Sequence, residues 1–267
     1  MGTTLTAIQA GGCHVVYVVQ IEGYSTILTT GEASSVEQAW QDSALAGHNE
    51  IDRVRDGLSV TFDQQTGAHP WEPFGQPPIC RLTIGPGTSN YAAVPLDEAV
   101  AVDMHKRSGG VETSLTTSVT PIGTSLAVRA AGSFSATGTV FVGPEAIAYG
   151  SKTATSFGTL TRGKYSPFQV DGGGRFARSH VVRDVTTATG DPVGVGLPPL
   201  VASEPRAWIG RWVGVWVCRV TETSVDSPEQ AHLAFAGTIA AIREGENGEV
   251  QIDLEHALRR IYETRVM

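Results

Sequence analysis

Seven histidines, three cysteines and 27 acidic side chains are the groups from which this chain would build a metal centre or an acid–base pair. A metal motif sets two histidines four residues apart on one helix face, or sets a histidine a ligand spacing of two to four intervening residues from a cysteine. His14, His48, His69, His105, His180, His232 and His256 satisfy neither spacing. Cys13, Cys80 and Cys218 are too far apart for a Cys-x-x-Cys knuckle, and their odd number does not suit a disulfide framework. Hydrolysis of a glycoside needs two carboxylates facing each other across a cleft. Asp42, Glu50 and Asp52 form one acidic group and Glu244, Glu246 and Glu249 another, but nothing singles out a pair. The second group reads as a solvated hairpin tip. There is no Gly-x-Ser-x-Gly elbow, and "DGGGRF" neither follows a clear strand nor opens a helix as a phosphate cradle would. The expectation is no catalytic residue, no cofactor and no metal.

Two other sets carry more information. Trp212 and Trp216 fall on one face of the alternating run "RWVGVWV". They form either a carbohydrate-stacking platform or a piece of core or subunit interface, where tryptophan buries much area at low entropic cost. The second set lies in "GTVFVGPEAIAYGSKTATSFGTLTRG", from Gly138 to Gly163. In "EAIAY", Glu145, Ile147 and Tyr149 share one face of a strand, so a buried Glu145 requires a partner. Arg162 ends the next run, across the "GSKT" turn, and an antiparallel return brings the two together. The expectation is a two-pronged structural clasp between Glu145 and Arg162.

The elements that must position these residues are mostly strands. Thirty-one Gly, 14 Pro and abundant Thr, Ser and Val favour short strands joined by turns. In "CHVVYVVQIEGYSTILTTG", Val15, Tyr17, Val19 and Ile21 mark one face, Val16 and Val18 make the second face apolar too, and Glu22-Gly23 supplies a turn. "SSVEQAWQDSALAG" fits either a short helix capped by Ser34 or Ser35 or a loop. "GLSVTF" and "ICRLTIG" are further strands. "RWVGVWVCRV", "AHLAFAGTIAAIRE" and "VQIDL" follow later, the last two joined by an Asn-Gly turn. Leu254, Leu258 and Ile261 predict a short terminal helix. Composition shifts near Ser108 to Ser, Thr, Gly and Val, which marks off a module of about four strands. The fold class expected is mainly β. A β-barrel or sandwich built from 1–107 and 193–267 carries an inserted small β-module at 108–175, with a linker at 176–192 and a short C-terminal helix.

Other classes are disfavoured. A formal charge of −8 argues against nucleic-acid binding. No apolar run reaches the ~20 residues of a membrane span. "AGGC" resembles a lipoprotein cleavage box, but no Lys or Arg precedes Arg53, so a secretory leader is not expected and Cys13 reads as a small buried residue. Two loops look like contact stock. "DQQTGAHPWEPFGQPP" carries Trp71 and Phe74, and "RDVTTATGDPVGVGLPPLVASEP" carries Val193, Val195, Leu197, Leu200 and Val201. They lie along a neighbouring subunit or fold back over their own barrel.

The module also carries a resemblance. Phe134, Gly138, Val140, Val142, Gly143, Glu145, Ile147, Tyr149, Phe157, Leu160, Thr161, Arg162 and Gly163 match a pattern over about 40 residues. That pattern resembles a small β-module of tail proteins from long-tailed bacteriophages and related gene transfer agents. The segment "RWVGVWVCRV…LAFAGTIAAI…VQIDLEHALRRI" is similar, more weakly, to a tail-tip pattern. The resemblance implies a structural protein of the tail tip or baseplate, in the distal-tail or hub position. It implies a ring of the chain with itself, as a trimer or hexamer, and contacts with the tail tube protein and other tail-tip or baseplate proteins. It places the protein in the virion after synthesis in the host bacterial cytoplasm. A receptor- or carbohydrate-binding tail module is the alternative, and a cell-wall hydrolase a further one.

Overall fold

The computed structural model describes residues 14–24, 26–41, 53–63, 79–85, 112–170, 174–180, 192–194, 208–221, 225–244 and 249–257. Two sheets dominate. The larger takes its strands from both ends of the chain. β1 (His14–Ile21), β2 (Thr26–Thr29), β3 (Arg53–Arg55), β4 (Leu58–Asp63) and β5 (Ile79–Ile84) come first, and β14 (Trp212–Val220), β15 (His232–Glu244) and β16 (Val250–His256) come last. They line up in the order β3-β2-β1-β14-β15-β16-β5-β4. The outermost strands of that order, β3 and β4, are consecutive in sequence and joined only through Asp56 and Gly57. A sheet whose two edges are tied by two residues has to curl, and it forms a nearly closed, barrel-like wall.

The alternation in the sequence maps onto the two faces of this wall. Val19, Ile21, Leu82, Ile84, Val213, Val215, Phe235 and Ile252 pack inside. Val18, Ile27, Val54 and Cys218 pack outside. The double-faced apolarity of β1 is thus used on both sides, with Val18 and Val19 each fully buried. The outer cover is α1 (Ala33–Gln41), which buries Ala33, Val36 and Trp40 at helical spacing. Helix wins over loop in this segment because that stripe has the barrel wall to pack on. Glu32 caps it rather than Ser34 or Ser35. Its carbonyl accepts the Val36 amide, and its carboxylate accepts both serine hydroxyls. The helix also explains the one parallel pair in this sheet, β2 with β3, since a parallel return needs a crossover.

The second sheet is built from the middle of the chain. It comprises β6 (Glu112–Ser114), β7 (Ser125–Ala127), β8 (Gly138–Val142), β9 (Glu145–Lys152), β10 (Ser156–Lys164) and β13 (Pro192–Gly194), in the order β6-β13-β8-β9-β10-β7. Just past β6 and β7, Leu115 bridges Val128, Thr116 donates to the Ala127 carbonyl and Arg129 to that of Ser114. The two outer strands are thereby tied to each other, which leaves that stretch of edge closed. Leu126, Val140, Val142, Ile147, Tyr149 and Phe157 form a core of their own. The opposite face contributes Phe141 and Ala146, with Tyr165 just past β10, to the core of the larger sheet, so the module seals one end of the barrel.

Three sequence expectations change. Val193 lies in β13, paired with β8 and β6 of the module, so the boundary expected at 193 falls inside the smaller sheet. The expected module ends in a ribbon of β11 (Gln169–Val170) against β12 (Gly174–Arg175), and the linker expected after it begins with residues that are anchored in the module, as described below. Leu254 sits in β16 with its side chain buried, because the two-residue alternation of Val250, Ile252 and Leu254 meets a partner strand on each side. The expected C-terminal helix beyond it lies outside the described residues.

Candidate functional site

The chemically capable side chains converge where the module seals the barrel. β9 begins directly after the two-residue turn Gly143-Pro144, which places Glu145 on the module's inner face. β10 carries an irregularity between Thr161 and Lys164, with Gly163 and Tyr165 in left-handed backbone conformations. That irregularity aims two groups at one carboxylate. Arg162 donates from Nε to Oε1 at 2.8 Å and from Nη2 to Oε2 at 2.9 Å. The Gly163 amide donates to Oε1 at 2.8 Å. The two-pronged pair between Glu145 and Arg162 therefore has the fork-to-fork form that makes such contacts strong and directional.

Two further donors arrive from sequence positions that the hairpin does not determine. The Arg178 amide reaches Oε2 at 3.0 Å, and His180 Nε2 lies 2.8 Å from the same oxygen. Burial on its own raises the Glu145 pKa. The hydrogen bonds from His180 and Arg162, the Arg162 charge and the Arg178 amide outweigh burial and bring it down to about 2. An ionised carboxylate only accepts, so His180 carries its proton on Nε2. His180 is itself held by reciprocal backbone bonds with Val119.

A second carboxylate extends the cluster into the barrel. Glu22, in the β1–β2 turn, accepts Arg178 Nε at 2.6 Å and Nη2 on its other oxygen, along with the Trp212 amide at 3.0 Å. Arg211 is wholly buried and joins carbonyls of both sheets. Its Nη1 donates to Glu22 at 2.8 Å and to Pro144 at 2.6 Å, its Nη2 to Gly143 at 3.3 Å, and its guanidinium lies over the Trp208 ring. Gly23 is required on two grounds. Its φ is +74°, and a Cβ there would stand 2.6 Å from Arg211 Nη1 and 2.7 Å from the Pro144 carbonyl.

These contacts form a clamp around Glu145. Glu145 accepts five hydrogen bonds and its side chain is 1% exposed, so it has neither a proton to exchange nor a face open to substrate. Buried ion pairs of this kind add little net stability over apolar packing but strongly penalise any arrangement that separates them. They fix how the module sits on the barrel. Glu22, Arg178, His180 and Arg211 were not singled out from the sequence. The one available signal was an acid in a hairpin turn flanked by apolar strands, which makes Glu22 costly unless it is paired.

The other predicted residues fare differently. Trp212 packs edge-to-face with Phe168 and Phe176, and Trp216 with Trp40. Both indoles are thus engaged within the chain. Trp71, Phe74, Val195, Leu197, Leu200 and Val201 lie outside the described residues, and Val193 is placed only by its backbone in β13. Cys80 and Cys218 are free and buried on opposite faces of the barrel wall, and burial pushes each thiol up to about 12. Among the described residues no group of three His, Cys, Asp or Glu is placed to hold a metal ion, and no helix is long and apolar enough to cross a membrane. No family model matches this chain, and no curated protein or solved structure matches it either.

Proposed function

We propose that this chain is a structural subunit of the tail tip or baseplate of a long-tailed phage or gene transfer agent, forming a ring with itself and joining the tail tube to tip proteins. The observation that carries this reading is the use made of the residues that share the tail-module pattern. Glu145, Arg162 and Gly163 form the clamp, and the Gly143 carbonyl binds Arg211. Val140, Val142, Ile147, Tyr149 and Phe157 build the module core, with Phe134 against Phe157. A Cβ at Gly138 would crowd the Tyr149 hydroxyl at 3.2 Å. A pattern used in this way holds a shape, which suits a part that bears contacts.

The reading is tested by the mass of the purified protein in solution, together with electron microscopy of the particles. A closed ring of several copies that captures tail tube protein is the expected result. A monomer over the whole micromolar range, or turnover of peptidoglycan by the purified chain, overturns it. Glycan binding lost on Trp212→Ala or Trp216→Ala would replace it with the carbohydrate-binding alternative. No observation favours that alternative, since both indoles pack against rings of their own chain.

A further inference from the structure

The most exposed large apolar side chain among the described residues is Ile122, at 88%. It sits on the turn Thr120–Gly123, closed by the Gly123 amide on the Thr120 carbonyl at 3.0 Å, with Pro121 fixing the backbone before it. The turn is held from beneath by the clamp. Arg162, already paired to Glu145, donates Nη1 to the Thr120 carbonyl at 2.7 Å and to that of Gly123 at 3.5 Å. On its flank, Val119 exchanges backbone bonds with His180, the clamp's histidine. An aliphatic side chain exposed on a turn braced in this way gives up little freedom on binding, which is the property of an anchor residue.

The surroundings indicate what it meets. The exposed residues from 116 to 125 are Thr, Ser, Pro and Ile, without a charge. From 113 to 161 the one exposed charge is Arg129, because Glu145 is buried and Lys152 is turned onto the carbonyls of Ala131, Gly132 and Phe134. In a chain of formal charge −8, a second copy meets less repulsion at a stretch of surface without charge than at an acidic one. We propose that the Thr120–Gly123 turn is a contact point for a second copy of this chain, with Ile122 as its anchor and Arg162 as the residue that positions it. This rests on the ring reading and names the face through which copies meet.

Sedimentation of the full chain across a concentration series tests it, using wild type, Ile122→Asp, Ile122→Leu and Thr124→Glu. Ile122 and Thr124 are exposed, so circular dichroism and the melting temperature should stay at wild-type values. Ile122→Asp should weaken self-association at least about tenfold, the scale for loss of an anchor residue. Ile122→Leu should retain it. Thr124→Glu should weaken it at low salt and recover at high salt, since charges brought together there are screened. If the wild type assembles and Ile122→Asp assembles equally well, this face is not the contact and the ring reading stands. A wild type that stays monomeric overturns both.

Discussion

Replacing Glu145 with glutamine keeps nearly the same volume and removes the negative charge that Arg162 and His180 both contact. The structure sets the scale of the loss. The carboxyl falls from the ordinary 4.5 to about 2, which at about 1.4 kcal/mol per tenfold in proton affinity corresponds to about 3 kcal/mol. Glutamine also turns an NH2 toward groups that are all donors, so the expected cost in urea unfolding at pH 7 is about 3–5 kcal/mol, as for a buried pair with one member removed. The sign follows from the direction of the shift. Because the folded pKa is depressed, the charge-linked stability is fully present above about 4.5 and is lost as pH falls through the folded value near 2. Wild type should therefore lose stability across that window while Glu145→Gln loses less, and the gap between them should narrow. Adding Arg162→Met to Glu145→Gln should restore part of the loss, since it removes the stranded guanidinium. A difference below about 1 kcal/mol at pH 7, or a gap that does not change between pH 5 and pH 2, would refute the clamp as described.

Gly23→Ala should lower the unfolding free energy measured in urea by about 2 kcal/mol or more, because positive φ and two contacts below 3 Å act together. Gly210→Ala is the control: its φ is +80° but a Cβ there meets nothing within 4 Å, so about 1 kcal/mol is expected. Cys80 and Cys218 should resist alkylation in the native protein at pH 8 and react in urea, as read by peptide mass spectrometry; rapid native labelling of either would contradict its burial. Trp212→Ala should cost about 2 kcal/mol through lost packing on Phe168 and Phe176 and should leave glycan-array signals at background.

What the sequence determined by itself is what short-range periodicity and turn chemistry reach. The alternation in β1, β14 and β16 predicts which side chains share a face, and Glu145 meets Arg162 because one hairpin fixes that meeting within 17 residues. Even the helix at Ala33–Gln41 was half legible, since Ala33, Val36 and Trp40 keep helical spacing and only the presence of a wall to pack on separates helix from loop. Tertiary structure decided the rest. His180 and Arg178 reach Glu145, and Arg178 and Arg211 reach Glu22, across separations of up to 189 residues, which no local pattern encodes. Trp212 and Trp216 lie on a predictable face, but whether that face is open or covered depends on Phe168, Phe176 and Trp40, which arrive from other segments. Leu254 shows the same competition in reverse: its helical spacing to Leu258 and Ile261 was real in the sequence, and the hydrogen bonds offered by β5 and β15 on either side made it a strand. Periodicity says which way a side chain points; the path of the chain through space decides what it meets there.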